Sequence, residues 1–371
     1  MGVKGERETQ IWQVSAAPGA DSENLKESTP ILQAAQVLRR GGLVAFPTET
    51  VYGLGANGLD AGAVAHIFTA KGRPADNPLI LHIAAMETIH QIVAEVPALA
   101  LRLAQTFWPG PLTLVLPKAA EVPAVTTGGL DTVAVRMPSH PVALALIEAA
   151  GVPVAAPSAN QSGRPSPTEA AHVIADLLGR VDIILDGGPT GIGVESTVLD
   201  CTQVRPVILR PGGISREDLE QVVGVVDIDP EVLTGETVED GPVRSPGMKY
   251  KHYAPQAPAV LVEGKPPHLF QRLAQLATEL EGQGEQVGLM VSSELLQYWA
   301  AQAIDSSRWQ ITCMGSRALP EEIAANLYRC LRALDKTNTT KILIEGVPTT
   351  GLGLAIMNRL EKAAAHRILE V

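Results

Sequence analysis

The feature that most constrains this sequence is a succession of short apolar segments, each the length of a β-strand and separated from the next by a helical pattern or a turn. Between residues 42 and 200 these segments are GLVAF (42–46), LILHI (79–83), LTLVL (112–116), TVAVR (132–136), VPVAA (152–156), DIILD (182–186) and STVLD (196–200). Apolar runs of this length bounded by Gly and Pro indicate strands buried in a sheet. The chain is therefore predicted to be an α/β protein whose sheet has an irregular, mixed strand order.

A change in composition after residue 215 divides the chain. Nine acidic and no basic residues lie between Glu217 and Asp240, so much of the formal net charge of -11 is local. A stretch rich in Pro and Gly follows, and a second alternation of strand and helix patterns then begins. We predict a first domain at 1–215 with its core at 28–215, an acidic linker segment at 216–256, and a smaller Rossmann-like α/β domain at 257–371.

Membrane, secreted and zinc-binding proteins are disfavoured by the sequence. It has no run of about eighteen apolar residues, and its opening residues lack the apolar stretch of an export signal, so a cytoplasmic location is expected. Cys201, Cys313 and Cys330 are widely spaced, and we expect them to be buried thiols rather than a disulfide framework or a metal site. No long basic tract occurs, which argues against stable nucleic-acid binding.

Two segments have patterns found in phosphate-binding sites. GLGANG (53–58) fits the dinucleotide-binding pattern weakly, because the acidic residue expected about twenty positions later would be Asp76, which lies in a loop. KGRPADNPL (71–79) is the stronger candidate, since Lys71 and Arg73 lie in a proline-stiffened turn with Asn77 nearby. The alternative for this second segment is a solvated turn with surface charges.

A segment dense in hydroxyl and amide groups, PSANQSGRPSPT (157–168), follows the predicted strand VPVAA. Ligands of open α/β sheets usually bind at the ends of strands, so Ser158, Asn160, Ser162 and Ser166 are candidates to face a crevice. Ser166 and Glu169 also have the spacing of a capping box, which would place the Ser166 hydroxyl at a helix N-terminus. Both interpretations are compatible, because a helix N-terminus also attracts anions.

Two arginines, Arg136 and Arg210, stand at the ends of apolar strands. A guanidinium in such a place must keep its donors paired, so either an anionic ligand or a surface salt bridge is expected to meet each of them. His82 lies inside the predicted strand LILHI, where a histidine is more often a satisfied core residue than a ligand-binding one.

Taken together, these motifs resemble one known family. They are PTETVYGLG (47–55), KGRPADNPL (71–79), FWPGPLTLVL (107–116), VAVRMP (133–138), APSANQSGRPSPT (156–168), GGPTGIGVESTVLD (187–200) and ILRPGG (208–213). The sequence at 28–215 is similar to the YrdC-type threonylcarbamoyl-AMP synthases, and the remainder resembles the two-domain branch of that family. The resemblance implies a twisted, open, mixed sheet in a catalytic first domain, followed by the smaller domain.

The resemblance also implies roles for individual residues. Those implied for L-threonine are Thr50, His82, Arg136, Ala156 through its backbone, and Ser196. Those implied for ATP are Arg73, Asn77, Thr132, Ser158, Ser166 and Arg210. Lys71 would lie close to the phosphates and, with Arg73, would act in catalysis.

The implied reaction joins L-threonine, bicarbonate and ATP into threonylcarbamoyl-AMP with release of pyrophosphate. Mg²⁺ would accompany ATP, and a tRNA threonylcarbamoyl transferase would use the product downstream. The absence of a nucleophilic triad is consistent with this chemistry, which needs positioning and charge neutralisation. Two alternatives are an RNA-binding module and a carbamoyltransferase that uses carbamoyl phosphate.

The segment SPGMKYKHYAP (245–255) is predicted to close over the site. Plain linkers are rich in Gly and Ser, whereas this one contains cationic and aromatic residues between two prolines. We expect His252 and Tyr253 to reach the nucleotide. The alternative is that the aromatic residues pack on the second domain.

Overall fold

A computed structural model describes residues 8–14, 25–234 and 253–371. The chain divides into two compact units, the first running to residue 249 and the second from 250 to 371. Two short pieces of the earlier sequence, Gly163–Pro165 and Ile192–Val194, belong with the second unit. None of the helices within the described ranges is long and apolar enough to cross a membrane.

The first unit contains an eleven-stranded sheet with helices. Its strands are β1 (Gln10–Gln13), β2 (Val44–Phe46), β3 (Gly53–Asn57), β4 (Ile80–His82), β5 (Leu112–Pro117), β6 (Thr132–Arg136), β7 (Val154–Ala155), β8 (Ile183–Asp186), β9 (Thr197–Asp200), β10 (Val207–Arg210) and β11 (Asp227–Ile228). Its helices are α1 (Thr29–Arg39), α2 (Ala61–Lys71), α3 (Ala98–Phe107), α4 (Ala124–Thr127), α5 (Pro141–Ala150), α6 (Ala170–Leu177), α7 (Arg216–Val223) and α8 (Pro230–Thr234), with a 3-10 helix at Met86–Gln91.

The strand order is irregular, as the sequence predicts. It runs β1-β8-β2-β3-β7-β4-β6-β5-β9-β10-β11. The sheet contains both parallel pairs, such as β4 with β6, and antiparallel pairs, such as β5 with β6, so the predicted mixed sheet is confirmed. The alternating side chains of β2 show why both faces are covered: Ala45 packs with α2 and α3, whereas Val44 and Phe46 pack with α1 and α5.

The second unit is a smaller α/β domain built on a parallel sheet in the order β14-β13-β15-β12-β16. Its strands are β12 (Ala259–Glu263), β13 (Val287–Ser292), β14 (Gln310–Gly315), β15 (Lys341–Glu345) and β16 (Ile368–Glu370). Its helices are α9 (His268–Gly282), α10 (Ser293–Ala301), α11 (Pro320–Leu334) and α12 (Gly353–Ala363). Side chains of α9 and α10 form a core with β13 in which Trp299 contacts Trp309 at a centroid distance of 5.4 Å.

Two expectations from the sequence are corrected, and the weak dinucleotide-binding pattern is set aside. GLGANG is not a phosphate-binding turn, because Gly53–Asn57 is strand β3. The Ser166 and Glu169 capping box is absent: α6 begins at Ala170, its N-cap is Glu169, and no side chain caps it. Cys201 and Cys330 are buried as expected, but Cys313 is exposed because it lies on β14, an edge strand.

Candidate active site

The middle of the large sheet brings together the residues implied for L-threonine. His82 on β4 and Thr113 on β5 are both register partners of Arg136 on β6, so the three residues form a row across the sheet. Arg136 Nη1 donates to Thr50 Oγ1 at 3.0 Å. Thr113 Oγ1 lies 2.8 Å from the Oγ of Ser196, the residue directly before β9. We call Thr50, His82, Arg136 and Ser196 the central cluster; each is buried.

Arg210, implied for ATP, adjoins the central cluster. Its Nη2 donates to the Ser196 carbonyl at 2.9 Å and to Ser196 Oγ at 3.1 Å. Ser196 therefore contacts both Arg210 and the Thr113 neighbour of Arg136. Two buried guanidinium groups linked in this way indicate a site for anionic ligands, because burial strengthens their interaction with any anion that displaces water.

The imidazole of His82 is neutral. Burial lowers its pKa to about 3, and the nearby Arg136 cation contributes in the same direction. Its ring meets Phe46 edge-on at a centroid distance of 6.4 Å, and its Nδ1 has no hydrogen-bond partner within the described residues. A neutral ring nitrogen of this kind is suited to a polar group of a ligand.

Lys71 ends helix α2 and is buried. Its ammonium group donates to the Ser158 carbonyl, to the Asn160 carbonyl at 2.6 Å, and to Asn160 Oδ1 at 3.3 Å. Ser158 Oγ also donates to Asn160 Oδ1, at 2.5 Å. Lys71 thus fixes the loop that carries Ser158, and its predicted proximity to phosphates stays a prediction.

The turn after α2 holds the other part of the predicted phosphate segment. Gly72 adopts a left-handed conformation with φ of 61° and ends the helix. Arg73 is buried and its Nη2 donates to the Pro78 carbonyl at 3.2 Å. Asn77 is fully buried, yet neither of its amide atoms has a hydrogen-bond partner within the described residues. An amide left in this state costs free energy, so a ligand that pairs with it is expected.

The remaining predicted positions are more scattered. Ser166 Oγ donates to Glu195 Oε1 at 2.6 Å, a contact with a residue far along the chain that replaces the predicted capping box. Ala156 donates its N–H to the Ile80 carbonyl at 3.0 Å, and the ligand contact implied for its backbone stays a prediction. Thr132 is half-buried at the first position of β6, and within the described ranges no hydrogen bond joins its side chain to the central cluster.

Tyr253 lies in the second unit. Its ring stacks on Tyr328 at a centroid distance of 5.3 Å, and the Arg359 guanidinium lies 5.4 Å from it. This packing agrees with the alternative interpretation of the segment 245–255, in which its aromatic residues pack on the second domain. The nucleotide contact assigned to Tyr253 stays a prediction, and His252 lies outside the described residues.

One residue of the site is missing from the sequence-based predictions. Glu49 lies beside Arg136, with Glu49 Oε1 2.7 Å from Arg136 Nη2. The one available signal was its place between two threonines in PTET (47–50), directly before Thr50. Such a glutamate is usually a solvated surface residue, and its partner is more than eighty positions away along the chain.

Known proteins are similar to this chain over both of its units. A family model described as telomere recombination matches residues 36–212, and one described as the C-terminal domain of threonylcarbamoyl-AMP synthase matches 214–365. Threonylcarbamoyl-AMP synthase of Pyrococcus abyssi is 51% identical over 93% of this chain and 97% of its own length. The synthase of Bacillus subtilis is 49% identical over 97% of this chain and 99% of its own length.

A solved structure is similar over the same extent. The crystal structure of P. abyssi Sua5 complexed with L-threonine has a TM-score of 0.88 and 49% identity, covering 97% of this chain and 99% of that one. Similarity over both domains at this level of identity shows common ancestry along the whole chain. The chain belongs to the threonylcarbamoyl-AMP synthase family.

Proposed function

We propose that this chain makes L-threonylcarbamoyl-AMP from L-threonine, bicarbonate or CO₂, and ATP, with release of pyrophosphate. The observation that carries the proposal is the central cluster, in which the residues implied for L-threonine meet around Arg136 and adjoin Arg210. Nearly full-length relatives that bear this enzyme name support it.

In the proposed reaction the threonine amine bonds to the carbon of CO₂ and loses a proton, giving a carbamate. A carbamate oxygen then attacks the α-phosphorus of ATP, and the bond to the bridging oxygen of pyrophosphate breaks. Neither step needs a covalent bond to the protein. The residues of the chain bind, orient and neutralise charge, as in phosphoryl transfer generally.

The two substrates meet different parts of the site. Arg136 would pair with the threonine carboxylate, because a guanidinium binds carboxylate oxygens with directed hydrogen bonds. Arg210, Arg73 and the unpaired amide of Asn77 would serve the nucleotide. Lys71 holds the loop that presents Ser158, so this ammonium group orders the nucleotide side of the site.

We propose that Mg²⁺ enters with ATP. Within the described residues no group of three or more His, Cys, Asp or Glu side chains is placed to hold a metal ion. Mg²⁺ in nucleotide sites is held largely by phosphate oxygens and water, so a site with few carboxylates fits an ion carried by the triphosphate. When bound, it would neutralise charge on the leaving pyrophosphate.

We propose that the reaction takes place in the cytoplasm and that its product passes to a tRNA threonylcarbamoyl transferase. The decisive test is pyrophosphate release with each substrate omitted in turn. We expect release to require L-threonine and bicarbonate together, since neither alone forms the carbamate. Serine should react less well, because loss of the methyl group forfeits about 1 kcal/mol of apolar contact. Release at the full rate without threonine would refute the proposal.

A further inference from the structure

Glu49 and Arg136 form a buried pair of opposite charge whose hydrogen-bonding capacity is not used. Glu49 Oε1 lies 2.7 Å from Arg136 Nη2, and the side chains are 12% and 4% exposed. The two groups are close but poorly aligned. Within the described residues, no hydrogen bond is made by either carboxylate oxygen of Glu49 or by Arg136 Nη2. Buried charged groups left in this state are costly unless a ligand pairs with them.

A structural role for Glu49 does not account for this arrangement. Arg136 is already held by its other donors: Nε donates to the Gly110 carbonyl at 3.2 Å and Nη1 to Thr50 Oγ1 at 3.0 Å. His140, the other ionisable group near Glu49, has a pKa below its ordinary value because it is buried. Its Nδ1 accepts from the Val142 N–H at 3.2 Å. Neither neighbour satisfies the Glu49 oxygens.

The charges of the Glu49 carboxylate and the Arg136 guanidinium are complementary to those of an amino-acid zwitterion. An α-amino acid carries a carboxylate and an ammonium group on one carbon, so its site needs a cationic donor and an anionic acceptor side by side. Arg136 Nη2 supplies the donor and the two Glu49 oxygens supply the acceptors. This complementarity concerns the amine, a part of the substrate to which no residue was assigned from the sequence.

We propose that Glu49 binds the α-ammonium group of L-threonine while Arg136 Nη2 binds its carboxylate. The inference rests on the proposed function and deepens it. Glu49 thereby holds the nitrogen that becomes the carbamate nitrogen, next to the residues that fix the other end of the substrate. It also makes the site selective for amino acids over hydroxy acids of the same shape.

The test is a matched comparison of ligands and variants by calorimetry. The variants are Glu49→Gln, which keeps the shape and removes the charge, and Glu121→Gln as the control at an exposed position. The ligands are L-threonine, its des-amino analogue (R)-3-hydroxybutanoate, and L-threoninamide, which keeps the ammonium group and lacks the carboxylate. Thermal unfolding and ATP binding of each variant report whether the fold is intact.

We expect Glu49→Gln to weaken L-threonine and L-threoninamide by about tenfold or more, since a charge-assisted hydrogen bond is lost. Binding of (R)-3-hydroxybutanoate should stay the same or improve, and Glu121→Gln should bind all three ligands as the wild type does. Equal weakening of the des-amino analogue would show that Glu49 acts through Arg136 alone, and unchanged threonine binding would also overturn the inference. If the wild type bound no L-threonine, the proposed function itself would fail.

Discussion

At the scale of single residues, the most direct prediction concerns the hydrogen bonds of the Arg136 side chain. Its side chain donates two directed hydrogen bonds, to Gly110 and Thr50, while its third nitrogen lies beside Glu49, and lysine cannot reproduce that planar geometry. We expect Arg136→Lys to lower affinity for L-threonine by about tenfold or more while ATP affinity stays within about twofold. Calorimetry with each ligand separately measures both. A fall in ATP affinity equal to the fall in threonine affinity would contradict the carboxylate role.

The opposite selectivity is expected for Arg73. Arg73 is buried in the turn after α2, and its Nη2 bonds to the Pro78 carbonyl. Arg73→Ala removes a cation from the proposed nucleotide side of the site, so ATP affinity should fall by about tenfold or more and threonine affinity should change less. The same two titrations serve, with Arg136→Lys as the matched comparison. Loss of threonine binding before loss of ATP binding would contradict the assignment.

His82 predicts how stability depends on pH. Its pKa is about 3 in the folded protein and about 6.5 in the unfolded chain. Between these values the unfolded chain takes up a proton that the folded protein does not, so the free energy of unfolding falls as the pH is lowered through this window. The contribution is at most about 1.4 kcal/mol per pH unit.

Replacing His82 should therefore make the protein less sensitive to acid. We expect His82→Gln to lose less unfolding free energy than the wild type between pH 6.5 and pH 4.5, measured by urea unfolding. His66→Gln, at an exposed position on α2, is the control and should behave as the wild type does. The same acid sensitivity in His82→Gln would show that the buried ring does not govern this window.

At the scale of secondary-structure elements, the glycines of β3 are required for packing. A Cβ atom on Gly55 would lie 2.8 Å from Phe46 Cε1 and 2.8 Å from Val154 Cγ1, both inside the core. Gly55→Ala should destabilise the protein by about 1–3 kcal/mol, because the core would be overpacked. Gly282→Ala, on α9 with nothing within 4 Å of the added Cβ, should be neutral or stabilising. Chemical denaturation of both variants measures the change in unfolding free energy. Equal stability of the two variants would contradict the packing argument.

Helix starts in this chain follow local patterns. Helix α1 begins at Thr29, directly after its N-cap Ser28 and with Pro30 in its first turn, and Asp60 caps α2 by accepting from the Gly62 N–H at 2.8 Å. These features depend on residues within one turn of helix, which sequence spacing determines. The Ser166 capping box failed because its hydroxyl bonds to Glu195, a residue 29 positions away. Contacts at that distance have no local pattern.

The same distinction explains what the sequence revealed of the site. Their positions at strand ends marked Arg136 and Arg210 as candidates, and the resemblance supplied their roles and added Ser196. Glu49 was not predicted because its role depends on Arg136, whose Nη2 the fold brings within 2.7 Å of Glu49 Oε1. The fold likewise buries Asn77, whose amide atoms have no hydrogen-bond partner in the part of the chain that the structure describes.

At the scale of the whole molecule, the second unit has a core of its own, so it should fold alone. Its parallel sheet is covered by α9 and α10, and Trp299 contacts Trp309 inside that core. We expect a fragment of residues 253–371 to unfold cooperatively and to give the near-ultraviolet circular dichroism of an ordered tryptophan pair. Trp299→Phe in the fragment should remove most of that signal. A fragment without a cooperative transition would contradict the prediction.

The position of β1 has a consequence for how the protein is made. This strand, near the start of the chain, pairs in parallel with β8, and Thr9 Oγ1 donates to the Val181 carbonyl across a separation of 172 residues. A ribosome adds about 5–20 residues per second, so roughly 10 to 30 seconds pass between synthesis of the two partners. During that interval the segment QIWQ (10–13) has left the ribosome without its pairing strand, and it is open to capture by a chaperone or by another nascent chain. Completion of this sheet edge thus waits for a strand that is translated more than 160 residues after QIWQ.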